Sequence, residues 1–344
     1  MNIFQSNTLR QSVRRMVKRF VPKGVILMYH RVAEVDLDPW SLCVTPENFA
    51  EQLDVLQKYY QPMALKKLAA ANQQGRIPFR AVAVTFDDGY ADNLHNAKPL
   101  LEQYRIPATF FVTTGHVGRE REFWWDELQE VLLQPGWLPE TLNLLIDGST
   151  QTWELGSAVE YSEEDKKRDR TQLAWQAQPG SRLFFYYSVW KVLRSLPDKQ
   201  RDRVLEQIQG WARAKPAMRS QYRSMLPEEV RALGEGELVE VGAHTVTHPF
   251  LSAQATSLQK AEIEQSKADL EALLRRPVTT FAYPFGDYAP ETVELAREAG
   301  FACACSTVED TVWWRKDRFL LPRFQVHNWN GQEFAQQLLR WFDE

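Results

Sequence analysis

The sequence predicts an α/β protein whose strands close into a (β/α)7-type barrel carrying one large, mostly helical insertion. Short apolar runs rich in β-branched and aromatic residues alternate with longer stretches of helical periodicity, which implies a mostly parallel sheet. About seven such runs occur, enough to favour closure into a barrel. Their spacing breaks once, between about residues 118 and 226, and that stretch is read as an insertion on one barrel loop, with a separate second domain as the alternative.

The predicted strands are Gly24–Val32, Ala81–Phe86, Ala108–Thr113, Leu238–Ala243, Val278–Tyr283, Phe301–Cys305 and Phe319–Val326, each bounded by turn-forming residues. Between them lie helical patterns. Pro46–Tyr60 opens on Thr45 as cap with proline in the first turn, Ala91–Tyr104 and Ser257–Leu274 follow, and Pro290–Ala299 closes on Gly300. The insertion holds the pattern Leu183–Leu196 and the charged run EEDKKRDR. No internal repeat or low-complexity tract is evident.

With 344 residues, 44% hydrophobic content and 12 tryptophans, the chain can bury a large core, so disorder and fibrous classes are excluded. A net charge of -4 from 41 basic and 45 acidic residues gives no bulk attraction to nucleic acid. Cys43, Cys303 and Cys305 are too few and too unevenly spaced for a disulfide framework and read as reduced, structural thiols.

Charge is lopsided only at the start. Residues 1–23 carry Arg10, Arg14, Arg15, Lys18, Arg19 and Lys23 without an acid, while Leu9, Val13, Met16, Val17 and Phe20 recur at helical spacing. The segment lacks an uninterrupted apolar stretch, so it reads as neither a secretory signal nor a spanning helix. The expected location is cytoplasmic, with this segment lying on the anionic inner face of the membrane, packed on the barrel of residues 24–344, or simply frayed.

Chemistry-bearing residues collect at predicted strand ends. In VTFDDGYADN, Asp87 and Asp88 end one strand and Gly89 turns the chain away. In EVGAHTVTHP, His244 and His248 stand four apart, a separation that lets two imidazoles meet one ion. One aspartate with two histidines is a three-ligand set that leaves a position open, as suits catalytic zinc. FAYPFGDY ends another strand at Tyr283, in a turn where a backbone N–H can face a reacting carbonyl, and ILMYHRV puts His30 at the end of the first strand. Each element alone is a weak signal; their joint placement at strand ends is not.

In this combination the chain resembles the polysaccharide deacetylases of the NodB-homology type, carbohydrate esterase family 4. TFDDGY, HTVTHP and AYPFG match three of that family's motifs in order, and the resemblance spans most of residues 24–330 outside the insertion. It implies a deformed (β/α) barrel that hydrolyses N-acetyl groups from amino sugars with a divalent metal, usually zinc. By matching, Asp87 is the expected general base, Asp88, His244 and His248 the expected metal ligands, and Tyr283 the expected backbone donor to the oxyanion. Many members begin the third motif with an arginine that orients the base, where this chain has Ala282; Arg323 in LPRF is the expected substitute, against the plainer reading of a surface arginine. The general-acid histidine usually comes late, where His327 stands, but circularly permuted members carry it after the first strand, and MYHRV resembles that form. His30 is therefore preferred to His327. His95 and His116 lack a motif and read as structural.

The expected substrate is a surface or exopolysaccharide glycan or its lipid-linked precursor, with Trp124, Trp125, Trp313, Trp314 and Trp329 as candidate faces for sugar rings. Two other readings stay open: a same-fold amidohydrolase removing another acyl group such as formyl or cleaving a non-sugar amide, and a non-catalytic glycan-binding relic. Retention of both aspartates and both histidines argues against the relic.

Overall fold

The computed structural model describes residues 22–214, 218–313 and 315–343. Six parallel strands form one curled sheet: β1 (Lys23–Tyr29), β2 (Ala81–Phe86), β3 (Ala108–Val112), β4 (Val239–Ala243), β5 (Thr280–Ala282) and β6 (Cys303–Cys305), in spatial order β6-β5-β4-β3-β2-β1. Every residue of β1, β2 and β3 is buried, which explains why they read as continuous apolar runs rather than alternating ones: parallel strands are covered on both faces.

Residues 321–325 join the two edges of this sheet. Leu321 forms a parallel bridge to Cys305 of β6, and the short strand β7 (Phe324–Gln325) then pairs in parallel with Leu27 and Met28 of β1. The predicted strand Phe319–Val326 is thus mostly irregular. It spends its hydrogen bonds on two different neighbours instead of running along one. Val312–Trp313 adds an antiparallel pairing to the start of β1.

The predicted helices appear as α1 (Pro46–Tyr59), α3 (Lys98–Tyr104), α5 (Arg182–Leu193), α7 (Thr256–Leu274) and α8 (Pro290–Glu298), with α2 (Leu65–Gln74), α4 (Trp124–Leu132), α6 (Asp198–Ala212) and α9 (Gly331–Asp343) besides. Thr45 caps α1 by accepting from Asn48 N–H, and Gly300 follows α8 with φ 79°. The Ala91–Tyr104 pattern resolves into a π-helical turn, Asn93–Ala97, running into α3.

The stretch 118–226 leaves and returns at one neck, where Gly118 N–H donates to Met225 O at 2.9 Å and Tyr90 bridges Ser224. It is less helical than expected, because a hairpin of Thr141–Ile146 and Ser149–Glu154 lies between its helices. Leu142, Leu144 and Ile146 are buried and their neighbours Asn143 and Leu145 exposed, a period-two pattern that fixes strand over helix. The charged run becomes the short helix Glu163–Asp169, started by a capping box between Ser162 and Asp165. Leu128, Leu142, Leu183, Val189 and Leu205 build a core for this stretch that also takes in Leu37 and Tyr90.

The basic residues 1–21 lie outside the described residues, and Lys23, assigned to that segment from sequence, is the buried first residue of β1. Among the described residues no helix is long and apolar enough to cross a membrane. All three cysteines are buried free thiols.

Candidate active site

The carboxyl ends of β1, β2 and β4 deliver His30, Asp87, Asp88, His244 and His248 to one cavity of 340 Å³. Asp87 N–H still donates to Tyr29 O, continuing the sheet, and Asp88 then departs from it with φ 75°. Gly89, at φ 92°, completes the turn. Thr245, His248 and Phe285 also hold left-handed φ values of 63°, 54° and 56°. Such conformations cost non-glycine residues energy, and their clustering around one cavity marks a site whose backbone is held by its surroundings.

Asp88, His244 and His248 offer one ligand atom each within 4.8 Å of one another. His244 Nε2 lies 3.6 Å and His248 Nε2 3.3 Å from Asp88 Oδ1. His244 Nδ1 is 2.8 Å from Ala282 O, and because a carbonyl only accepts, Nδ1 carries the proton and Nε2 presents its lone pair to the cluster. Burial holds His244 down at about 4 and His248 at about 3, so both rings are neutral near neutral pH. Burial raises Asp88, against the pull of His30 and His244. A carboxylate and two neutral imidazoles converging in a buried pocket fit a divalent transition metal, and zinc suits that donor set.

The loop carrying the histidines is fastened from α7. Glu262, buried, accepts from Val246 N–H and Thr247 N–H at 2.8 Å each through one oxygen and from the Thr247 hydroxyl at 2.7 Å through the other. Thr245 Oγ1 accepts from His248 N–H at 3.1 Å. Nothing in the sequence marks Glu262, because its role depends on how α7 lies against this loop.

Arg323 reaches Asp87 in a two-point pair, with both N–O distances 2.7 Å. It also donates to Ser306 O at 2.9 Å and Thr85 Oγ1 at 3.2 Å, and is fully buried. Burial alone would push Asp87 up, but Arg323, His244 and His30 outweigh it and hold the carboxyl well below the usual range. Arg323 is no surface arginine.

His30 lines the cavity with both aspartates, half-buried; burial lowers its pKa against the opposing pull of Asp88 and Asp87. His327 does not line it. Its Nδ1 meets Ser41 Oγ at 2.8 Å and its ring packs edge-on to Trp329. His95 pairs with Glu229 at 2.8 Å, and His116 is buried in a stack with Phe123.

Two sequence expectations need correction. Tyr283 N–H donates to Cys305 O at 3.1 Å, as part of the β5–β6 pairing, and the tyrosine hydroxyl donates to Phe319 O, so its amide is not available to an oxyanion. Pro284 has no N–H, and it is the next residue, Phe285, that lines the cavity. Of the tryptophans singled out, only Trp125 lines the cavity among the described residues. Trp124 is buried in a stack with Trp190, Trp313 pairs along β1, Trp329 packs on Trp341, and Trp314 lies outside the described residues. The aromatic wall comes instead from Trp40, Trp175, Trp190, Phe250 and Phe285. Trp40 and Trp190 meet at 4.1 Å between ring centroids, and Trp40 donates to Tyr186 OH at 2.7 Å, which ties the loop after β1 to the insertion.

Comparison with known proteins agrees with this geometry. The chain is 37% identical over 110 residues to a poly-beta-1,6-N-acetyl-D-glucosamine N-deacetylase of Staphylococcus aureus, a match spanning 28% of this chain and 38% of that protein. In three dimensions it resembles IcaB from Ammonifex degensii, with a TM-score of 0.57 and 19% identity over 94% of this chain and 98% of that one. It also resembles the Streptococcus pyogenes deacetylase PplD, with a TM-score of 0.53 and 19% identity over 92% and 98%. These likenesses establish the deformed barrel. The family model described as polysaccharide deacetylase matches residues 74–137 and 189–304, more than half of the chain, with the unmatched gap inside the insertion and Asp87, Asp88, His244, His248 and the AYPFG turn inside the match. By that match, the chain belongs to the polysaccharide deacetylase family.

Proposed function

We propose that the protein hydrolyses the N-acetyl groups of amino sugars in a surface or exopolysaccharide glycan, or in its lipid-linked precursor, with a divalent metal held by Asp88, His244 and His248. The observation that carries this reading is the adjacency of two differently prepared carboxylates: Asp87, kept ionised by Arg323, and Asp88, set against two neutral imidazoles. When bound, the metal supplies Lewis-acid polarisation of the acetyl oxygen and acidifies water.

The chain's own residues do the rest. Asp87, fixed in one orientation by the two-point pair, accepts the proton of the attacking water. Charge developing on the acetyl oxygen needs a donor, and the Phe285 N–H in its left-handed turn takes the role first expected of Tyr283. Protonated His30 gives its proton to the departing sugar nitrogen, because an amine leaves poorly as an anion. Acetate and a free amino sugar result. The relative's printed substrate makes a β-1,6-linked N-acetylglucosamine polymer the first to try. The basic residues 1–21 are proposed to contact an anionic membrane surface, which would hold the enzyme near a lipid-linked glycan.

Acetate release from that polymer and from lipid-linked N-acetyl sugars, before and after metal removal and zinc return, tests the reading. Chelator-sensitive release restored by zinc is expected. No release from any of them, with metal bound, would defeat it.

A further inference from the structure

The wall of the cavity carries a cation that no carboxylate among the described residues pairs with. Among the described residues lining it, Arg194 is the single lysine or arginine. It stands directly after α5, one turn beyond Trp190, and its guanidinium carbon lies 5.1 Å from the Trp190 ring centroid and 4.8 Å from that of Phe250. The charges at the strand ends are already paired or clustered. Arg323 is buried on Asp87, and Asp88 faces the two histidines. Glu309 also lines the cavity, but it is exposed and forms no ion pair with Arg194.

Two aromatic faces hold the guanidinium at the cavity wall without neutralising it. A cation packed on aromatic rings keeps its N–H edge free for a planar or tetrahedral anion, which it binds at two points. The surrounding wall of Trp40, Trp175 and Trp190 is apolar and suits the C–H faces of a pyranose ring. A ligand with both features is an N-acetylhexosamine bearing an anionic group.

Resting on the deacetylase reading, we propose that Arg194 is a specificity-determining residue. It binds a negatively charged group, phosphate or carboxylate, carried by or next to the N-acetylated sugar, so that the preferred substrate is an anionic glycan or glycosyl phosphate rather than a neutral polymer. Arg194 reaches the cavity from the insertion, so this preference is set by that part of the chain and not by the barrel.

The test is titration calorimetry on metal-loaded wild type, Arg194→Gln and Arg194→Lys with three ligands: N-acetylglucosamine 1-phosphate, a disaccharide of N-acetylglucosamine and glucuronate, and a neutral N-acetylglucosamine disaccharide. Arg194→Gln should weaken at least one anionic ligand by about 10- to 100-fold, the usual worth of a charge-assisted pair, and leave the neutral one unchanged. Arg194→Lys should recover part of the loss. The difference between variants separates Arg194 from any anion contact with the metal, and loss on phosphate but not uronate, or the reverse, identifies the source. Equal binding by wild type and Arg194→Gln, equal loss on the neutral disaccharide, or no binding of either anionic ligand overturns the proposal. Acetate release measured on the same three compounds bears separately on the deacetylase reading, since binding can follow Arg194 whether or not turnover occurs.

Discussion

Arg323 and Asp87, 236 positions apart, meet as a buried two-point ion pair across the segment that closes the barrel. The pair joins closure of the fold to the site. Residues 321–325 bridge β6 to β1, and the arginine they carry fixes the carboxylate at the end of β2.

Removing one partner of such a pair leaves a buried, uncompensated charge. Arg323→Met should therefore cost about 3–5 kcal/mol of stability. The double variant Asp87→Asn with Arg323→Met should recover much of that cost. Urea unfolding of the three proteins measures it, and a near-neutral single variant would mean that the pair holds nothing in place.

The same pair sets a pH dependence of stability. Asp87 is held well below the unfolded value of about 3.9, so its stabilisation is present above that value and disappears as pH falls through the folded pKa. Wild type should lose stability on acidification more steeply than the double variant. Parallel curves would place the acid sensitivity elsewhere.

Much of this site was legible in the sequence, and the missing parts share a physical cause. Asp87, Asp88, His244 and His248 stand in local motifs at strand ends, so their joint placement there brought them together and the family resemblance supplied their roles. Arg323 was reachable only through the family resemblance, in which many members carry a base-orienting arginine where this chain has Ala282, and its sequence context left a surface arginine equally open. Glu262, Trp40, Trp175, Trp190 and Arg194 act through long-range packing that leaves no local pattern. Tyr283 was misread because its motif fixes a turn, while the pairing of β5 with β6 decides which amide in that turn is already used. Helices α2 and α9 were missed although Gly75, at φ 66°, ends the first in the usual way.

Glu262 is expected to act on metal affinity through the loop it fastens. Glu262→Gln keeps size but weakens acceptance from Val246 and Thr247, and a loss of about 10- to 100-fold in zinc affinity is the usual scale for an outer-shell partner. His244→Ala and His248→Ala should lose more. Competition with a chromophoric chelator reads all three, and unchanged affinity in Glu262→Gln would reduce that residue to a packing role.

His30 should set the alkaline limb of the pH–rate profile. It must be protonated to act as acid, so rate falls as pH rises through its pKa; burial lowers that pKa and moves the limb to the acid side of an ordinary imidazole near 6.5. His30→Ala should abolish the limb and keep metal binding, with a smaller rate loss on an activated aryl ester whose leaving group needs no proton. His327→Ala should change neither. The reverse pattern would transfer the role to His327.

Deleting residues 1–21 should reduce binding to vesicles containing anionic lipid without altering turnover of a soluble substrate, since cations near such a surface contribute about 1 kcal/mol each. Equal co-sedimentation of the truncated and full chains would rule out that contact.

The division of labour between the two adjacent aspartates is the central claim, and zinc content together with kcat in Asp87→Asn tests it most directly. The variant should bind zinc as wild type does while kcat falls by about 10²–10⁴-fold, the worth of a general base. Loss of zinc, or turnover within a few-fold of wild type, would contradict the assignment of base to Asp87 and ligand to Asp88.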